Sequence, residues 1–212
     1  MGQRNTILIV DDMASNRIFL KNVLGDEYEN LEAGNGKIAL ETMQQHHRKI
    51  AAVLLDVMMP VKDGFQTLED LKGSPLLQEF PILVVTSDSG KKSELRVLDL
   101  GASDVIIKPY DPAVVKRRVA LMIELFAGRR MLENKVDDLS HMLGAVNDSV
   151  VNTLATVTEF RSLESGQHVI RIRKFAKILL HAVADLYPDY ALTERKINMI
   201  ASASVLHDVG KV

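Results

Sequence analysis

Short runs of consecutive apolar residues alternate with amphipathic stretches up to about residue 125. Uninterrupted β-branched runs indicate strands buried on both faces, and helical spacing between them indicates covering helices. The pattern therefore predicts a flavodoxin-like, doubly wound α/β domain with a five-stranded parallel sheet. Its predicted strands are Thr6–Val10, Tyr28–Ala33, Ala52–Asp56, Ile82–Thr86 and Val105–Ile107, and helices are expected at Ala14–Leu24, Lys37–Gln45, Phe65–Lys72 and after each later strand.

A seven-residue apolar repeat follows this domain. Two series offset by three residues occupy the a and d positions of heptads, and together they predict a coiled-coil helix that would form a homodimer. The alternative is a long helix packed on its own domain, and Gly128 and Gly144 each lower helix propensity by about 1 kcal/mol. The only polar residue in the two series, Arg129, could help to set the register. The series are Met122, Arg129, Val136, Leu143 and Val150 at a, and Leu125, Leu132, Leu139 and Val146 at d.

Beyond residue 150 the chain reads as helical again, with a break at Tyr187–Pro188. Helical segments are expected at Val150–Arg161, His168–Leu186 and Glu194–Leu206. The predicted organisation is thus an α/β domain over 1–125, a coiled-coil linker over 126–149 and an all-α region over 150–212.

Composition narrows the function class. Hydrophobic residues make up 47% of 212 residues, as expected for a globular chain rather than a disordered one. The formal charge of −2 gives no bulk attraction to DNA or to an anionic membrane. The chain contains no cysteine, which suits a reducing compartment. No apolar run resembles a signal peptide or a membrane span, so a cytoplasmic protein is expected.

Three aspartates follow predicted strands. Asp11 and Asp12 come after the first strand and Asp56 ends the third, so their carboxylates should converge at one edge of the sheet. Carboxylates this close repel unless a cation neutralises them, and Mg²⁺ is a suitable hard cation. Thr86 and Lys108 end or follow neighbouring strands and bring a hydroxyl and an ammonium, which completes the groups needed for phosphoryl transfer to Asp. The simpler alternatives are helix capping by the aspartate pair and a surface lysine.

These residues lie in ILIVDD, LLDVMMPVKDG, VVTSDS and GASDVIIKPY, and residues 5 to about 125 resemble the receiver domain of two-component response regulators. The resemblance implies phosphorylation of one aspartate by a sensor histidine kinase. It also implies a departure, because receivers often carry an aromatic relay residue where this chain has Val105. The implied roles are the phosphoacceptor (Asp56), Mg²⁺ ligands (Asp12, Asp56 and the Met58 backbone carbonyl, with Asp11 acting through water) and phosphoryl-binding residues (Thr86 and Lys108).

Acidic and imidazole groups recur near the carboxyl terminus. Glu164 and His168 lie four residues apart, on one helical face, and His207 is followed directly by Asp208. Such groups suit a metal site, although a solvated helix face and a hydrogen-bonded core histidine are the simpler interpretations.

ESGQHVIR and VLHDVGK are similar to the opening of the HD-GYP family, helical phosphodiesterases that hydrolyse cyclic di-GMP at iron or manganese centres. The resemblance implies metal ligation by Glu164, His168, His207 and Asp208, and a phosphate contact from Lys211. The family's later ligands have no counterpart after Val212. We therefore expect an incomplete, inactive centre in a truncated domain.

The leading hypothesis is a response regulator that controls an HD-GYP phosphodiesterase output incomplete in this chain, so that cyclic di-GMP would bind only a complete domain. A non-enzymatic, phosphorylation-dependent dimerisation or adaptor module is the alternative. A third possibility is an HD segment that serves only for packing.

Overall fold

The computed structural model describes the backbone of residues 4–162 and 167–206, and side-chain surroundings over 4–154 and 170–205. The chain divides into two compact units, Met1–Leu132 and Glu133–Val212, and each is described by itself. Within the described residues, no helix is both long enough and apolar enough to cross a bilayer.

The first unit contains a five-stranded, entirely parallel sheet in the order β2-β1-β3-β4-β5. Every residue of β1, β3 and β4 is buried, as the unbroken apolar runs predicted. The predicted flavodoxin-like sheet is therefore confirmed. The strands are β1 Thr6–Val10, β2 Glu29–Ala33, β3 Ile50–Asp56, β4 Ile82–Thr86 and β5 Asp104–Ile107.

Helices cover both faces of this sheet. Side chains from α2, α3 and α5 pack on one face, and side chains from α1 and α6 pack on the other. The side chains of Asn35 and Asp63 accept hydrogen bonds from the first turns of α2 and α3, so local capping sets where both helices begin. The helices are α1 Ala14–Leu24, α2 Gly36–His46, α3 Gly64–Leu71, α4 Leu76–Glu79, α5 Lys91–Asp99 and α6 Pro112–Ser162.

The helix α6 is continuous over 51 residues. Val115 and Val119 bury its first turns against the sheet, and Arg130 donates a 2.8 Å hydrogen bond to the backbone carbonyl of Glu79. From 131 to 150 every side chain is exposed. The separate segment expected from Val150 to Arg161 is thus the end of this same helix.

The second unit is helical, with α7 at Gln167–Leu186 and α8 at Glu194–Ala203. The expected break after α7 is present as a single 3₁₀ turn, Pro188–Tyr190. The hydroxyl of Ser202 donates to Asp148 at 3.1 Å, and buried Val205 packs on Val151, so the region around α8 contacts α6.

Candidate functional site

The carboxyl edge of the sheet gathers the predicted acidic residues. Val10 of β1 pairs with Leu55 of β3, so the next residues of the two segments, Asp11 and Asp56, lie side by side. Asp11, Asp12 and Asp56 each place one carboxylate oxygen within 4.8 Å of the other two. Asp12 is exposed, whereas Asp11 and Asp56 are only 1% and 6% exposed.

Local hydrogen bonds hold Asp11 in place. Its carboxylate accepts a hydrogen bond from the backbone N–H of Met13 at 2.9 Å. The side-chain amide nitrogen of Asn16 donates to both carboxylate oxygens, at 3.0 Å to Oδ1 and 2.9 Å to Oδ2. Arg17 donates to the Asp11 backbone carbonyl at 2.8 Å and also pairs with Glu32. The helix α1 begins after Met13 with no side-chain cap, so the helix-capping alternative for the aspartate pair is wrong.

Sequence reasoning missed the supporting roles of Asn16 and Arg17. Both residues lie on α1 and are ordinary polar members of an amphipathic helix. Their spacing from Asp11 carries no separate signal, because only the turn between β1 and α1 directs them back to the strand end.

Lys108 bridges the two buried carboxylates. Its ammonium nitrogen lies 3.0 Å from Asp56 Oδ1 and 3.2 Å from Asp11 Oδ2, and its backbone N–H donates to the Thr86 carbonyl at 2.7 Å. A cis peptide bond joins this lysine to Pro109. The surface-lysine alternative is therefore wrong, because an ion pair with both aspartates holds the side chain at the strand ends.

Burial and the neighbouring charges shift the pKa values of the ionisable groups in this cluster. Burial raises the pKa of Asp56 above its usual value, and the Asp11 charge adds to that, while hydrogen bonding and charge from Lys108 oppose it. Burial alone would lower the pKa of Lys108, but hydrogen bonds and charge from Asp56 and Asp11 outweigh it, so the lysine pKa is raised. The lysine therefore stays protonated and neutralises part of the acidic cluster.

Thr86 ends β4 and is buried. Its hydroxyl oxygen accepts the backbone N–H of Asp88 at 3.0 Å. The Asp88 carboxylate in turn accepts the N–H of Gly90 at 2.8 Å and the Ser93 hydroxyl. The hydroxyl at the strand end is thus connected by hydrogen bonds to the first turn of α5.

The structure also places four further residues of the sequence motifs. Met58 follows β3 with its side chain 72% exposed, which leaves its backbone carbonyl as the group of interest. At Gly64 a Cβ atom would lie 2.5 Å from the Asp56 carbonyl oxygen, so only glycine lets α3 begin this close to the strand end. Val105 is buried in the core, and Tyr110 contacts Phe19 at a ring separation of 6.1 Å.

The candidate residues of the C-terminal motifs lie outside the described part of the chain. Glu164, His207, Asp208 and Lys211 fall there entirely, and for His168 only the backbone, within α7, is described. Among the residues that are described, the three aspartates form the one group of acidic or histidine side chains spaced to hold a metal ion. The roles implied for the other residues stay predictions.

Comparisons with known proteins agree with this geometry. Residues 7–120 match the family model described as the response regulator receiver domain. A solved structure of the BeF₃-activated receiver domain of Klebsiella pneumoniae RstA is 32% identical, with a TM-score of 0.51 over 56% of this chain and 98% of that one.

Two curated relatives match nearly the whole chain. A Vibrio cholerae protein named as a probable cyclic di-GMP phosphodiesterase is 34% identical over 98% of this chain and 48% of its own length. The cyclic di-GMP phosphodiesterase response regulator RpfG of Xanthomonas campestris is 24% identical over 97% of this chain and 55% of its own length. The chain thus spans about half the length of both relatives.

Proposed function

The chain belongs to the response regulator receiver family, and we propose that it works as a switch whose Asp56 accepts a phosphoryl group. The observation that carries the proposal is the cluster at the carboxyl edge of the sheet. There a nearly buried carboxylate contacts a lysine ammonium at 3.0 Å and lies beside two further carboxylates. Phosphoryl transfer to aspartate needs such a set, in which an acceptor carboxylate lies beside a cation and beside carboxylates that can hold a metal ion.

The cluster fits a magnesium ion. Oxygen atoms of Asp11, Asp12 and Asp56 lie within 4.8 Å of one another, and carboxylate and carbonyl oxygens are the ligands that Mg²⁺ prefers. In this proposal Asp12, Asp56 and the Met58 carbonyl hold the ion, and Asp11 acts through water. When bound, the ion neutralises the carboxylates and the oxygens of the transferred group.

In the proposed phosphoryl transfer, three residues of the chain have separate roles. An ionised oxygen of Asp56 attacks the phosphorus of a phosphodonor, the bond from phosphorus to the donor atom breaks, and its electron pair leaves with the donor. The product is an acyl phosphate on Asp56. Lys108 then exchanges its contact with the carboxylate for one with a phosphoryl oxygen, and Thr86 donates its hydroxyl to another. A sensor histidine kinase is the proposed phosphodonor.

The proposed output is a cyclic di-GMP phosphodiesterase domain of the HD-GYP type. Support comes from the two relatives, whose names state this activity and whose similarity extends across both units of the chain. Residues 164–211 would supply the first ligands of an iron or manganese centre, and full activity would need the parts of the relatives that this chain does not span. A cytoplasmic location stays a prediction.

A non-enzymatic module is the second candidate function. It is favoured by the exposed face of α6 between 131 and 150, which offers a surface for self-association without any catalytic group. The chain would then act as a homodimer whose assembly responds to phosphorylation. Stoichiometric iron or manganese together with turnover of cyclic di-GMP would favour the enzyme, and phosphorylation without either would favour the module.

Acetyl phosphate with Mg²⁺ tests the acceptor directly. We expect one phosphoryl group per native chain by intact mass, and none on Asp56→Asn, because the amide is not a nucleophile of this kind. Asp99→Asn, at the exposed end of α5, is the matched control and should label like the native chain. Equal labelling of Asp56→Asn and the native chain would overturn the assignment.

A further inference from the structure

The middle of α6 buries none of its side chains. Every side chain from 131 to 150 is exposed, although this stretch carries many large apolar residues. Isolated helices of about 12–15 residues are marginal in water, and most helical stability in proteins comes from packing of an apolar face. Gly144 lowers the intrinsic propensity of this segment further. A helix of this kind is expected to pack against another surface.

Apart from Met131 and Met142, the large exposed apolar residues of this stretch form a narrow seam. They alternate at spacings of three and four residues, and each is between 50% and 70% exposed. A seam of two positions per heptad fits another helix with the same repeat, because each side chain inserts between four residues of its partner. We call this set the α6 seam, and it consists of Leu132, Val136, Leu139, Leu143, Val146 and Val150.

The chain's own helices contact a different side of α6. Asp148 accepts the Ser202 hydroxyl, and Val151 packs against buried Val205. In the heptad numbering these α6 residues occupy f and b positions, which face away from a and d. Among the described residues, the α7–α8 region therefore leaves the α6 seam uncovered.

Residue types in the seam favour a particular partner. Valine occupies two of the three a positions, Val136 and Val150, while leucine occupies two of the three d positions. β-Branched residues at a with leucine at d favour two parallel strands. Flanking charges allow this arrangement, because a parallel pair in register places Glu133 opposite Gly128 and Lys135 opposite Ser140, with no like charges facing each other.

We propose that a second copy of this chain docks along the α6 seam, parallel and in register, between Leu132 and Val150. The inference rests on the homodimer in the proposed function. It adds the relative direction of the two helices, their register and the residues between which they pair. Before Leu132 the next a position is Arg129, where two guanidinium groups would face each other and disfavour extension of the seam. After Val150, the helix carries contacts to the α8 region of its own chain.

Cysteine cross-linking tests this orientation, since the native chain has no cysteine. Val136→Cys and Val150→Cys are made separately in the full chain. In the parallel, in-register pair each new cysteine faces its own copy, within the Cα separation of about 4.4–6.8 Å that a disulfide needs. His141→Cys is the matched control, because it occupies an exposed f position on the far side of the same helix.

We expect both seam variants to form covalent dimers under mild oxidation at least about ten times faster than the control. The two seam positions lie about 21 Å apart along the helix, at about 1.5 Å per residue, so an antiparallel pair cannot align both with themselves. Light scattering on the reduced variants should give the mass of a dimer, as for the native chain, which checks that the substitutions leave the assembly intact.

Two outcomes would overturn the inference in different ways. If the chain is a dimer by mass but neither seam variant cross-links faster than the control, the pair is not parallel and in register, and the homodimer itself stands. If the native chain is a monomer at about 100 times the concentration used for phosphorylation, the homodimer and its orientation both fail. Labelling of Asp56 by acetyl phosphate is independent of either result.

Discussion

The two units of the chain differ in how far their apolar side chains are exposed to solvent. In the receiver, the leucines and isoleucines of β1, β3 and β4 are fully buried between two layers of helices. In the helical unit, Phe175, Ile178 and Leu179 of α7 are each more than 60% exposed. The receiver thus closes its own core, whereas the described part of the helical unit leaves large apolar side chains in contact with solvent.

Polar groups show the same division. The receiver withdraws Asp11 and Asp56 from solvent and balances their charge with the Lys108 ammonium. In the helical unit, the polar contacts of Asp148 are exposed and contribute little to stability. The candidate chemistry therefore lies in the unit with the closed core, and a packing partner for the second unit stays a proposal.

Matched leucine substitutions give the largest expected contrast. Leu54→Ala removes a fully buried side chain from β3 and should lower the free energy of unfolding of the receiver by about 2–5 kcal/mol. Leu143→Ala, at a side chain that is 70% exposed, should change receiver stability by less than about 0.5 kcal/mol while weakening the dimer. Native-state hydrogen exchange of β3 amides measures the first effect, and light scattering measures the second.

The contrast would fail in two ways. A large loss of β3 protection in Leu143→Ala would mean that the receiver depends on the helical unit for its stability. An unchanged dimer in the same variant would mean that the α6 seam is not where the copies meet.

The next largest expected effect is a loss of Mg²⁺ affinity when a clustered aspartate is replaced. Asp12→Asn removes one of three clustered carboxylates and should lower Mg²⁺ affinity on the order of 100-fold, because a charged ligand of the ion is replaced by a neutral one. Calorimetric titration measures the affinity, with Asp99→Asn as the exposed control. Chelation of Mg²⁺ should also stop labelling by acetyl phosphate. An Asp12→Asn variant with native affinity would remove this residue from the proposed ligand set.

Part of this architecture could be predicted from the sequence. The strands β1, β3 and β4 are uninterrupted apolar runs, so their type and the convergence of the three aspartates followed from the pattern. The single turn α4 did not, since four residues are too few for a periodic signal. The heptad repeat predicted a helix through Gly128 and Gly144, and the structure has one. Its continuation beyond Val150 to Ser162 was missed, since a separate segment was expected there.

Hydrogen bonds between distant residues were beyond the sequence. The contacts of Asn16 with Asp11, and of Arg130 with the Glu79 carbonyl, depend on turns and tertiary packing that no local pattern encodes. The C-terminal motifs present the reverse case. Their residue types carry a specific resemblance, but the roles of His168 and His207 depend on side chains outside the described residues and stay predictions.

A smaller effect is expected where α6 leaves the receiver. Arg130 donates to the carbonyl at the end of α4, and this carbonyl also accepts from Arg4. Arg130→Ala should cost about 1–2 kcal/mol of local stability and speed hydrogen exchange in the α6 turns around it. Arg117→Ala, an exposed arginine nearer the start of the same helix, is the control. Equal exchange in the two variants would show that the contact does not hold α6 to the receiver.

The smallest expected effect concerns Glu79 and pH. The hydrogen bond from Arg4 lowers the pKa of Glu79 below its ordinary value of 4.5, and the charges of Arg4, Arg130 and His47 act in the same direction against a smaller effect of burial. Since the folded-state pKa is the lower one, the pair stabilises the fold above pH 4.5 and loses that contribution as pH falls through the folded-state pKa.

Glu79→Gln should therefore be less stable than the native chain at pH 7, by less than about 1 kcal/mol because the pair is partly exposed to solvent. The difference should shrink as pH is lowered through the folded-state pKa, since the native glutamate then becomes neutral as well. Urea unfolding at several pH values measures it, with the exposed Glu124→Gln as the control. A difference that stays constant with pH would assign the stability to the Glu79 backbone carbonyl, which both guanidinium groups also contact, rather than to its carboxylate.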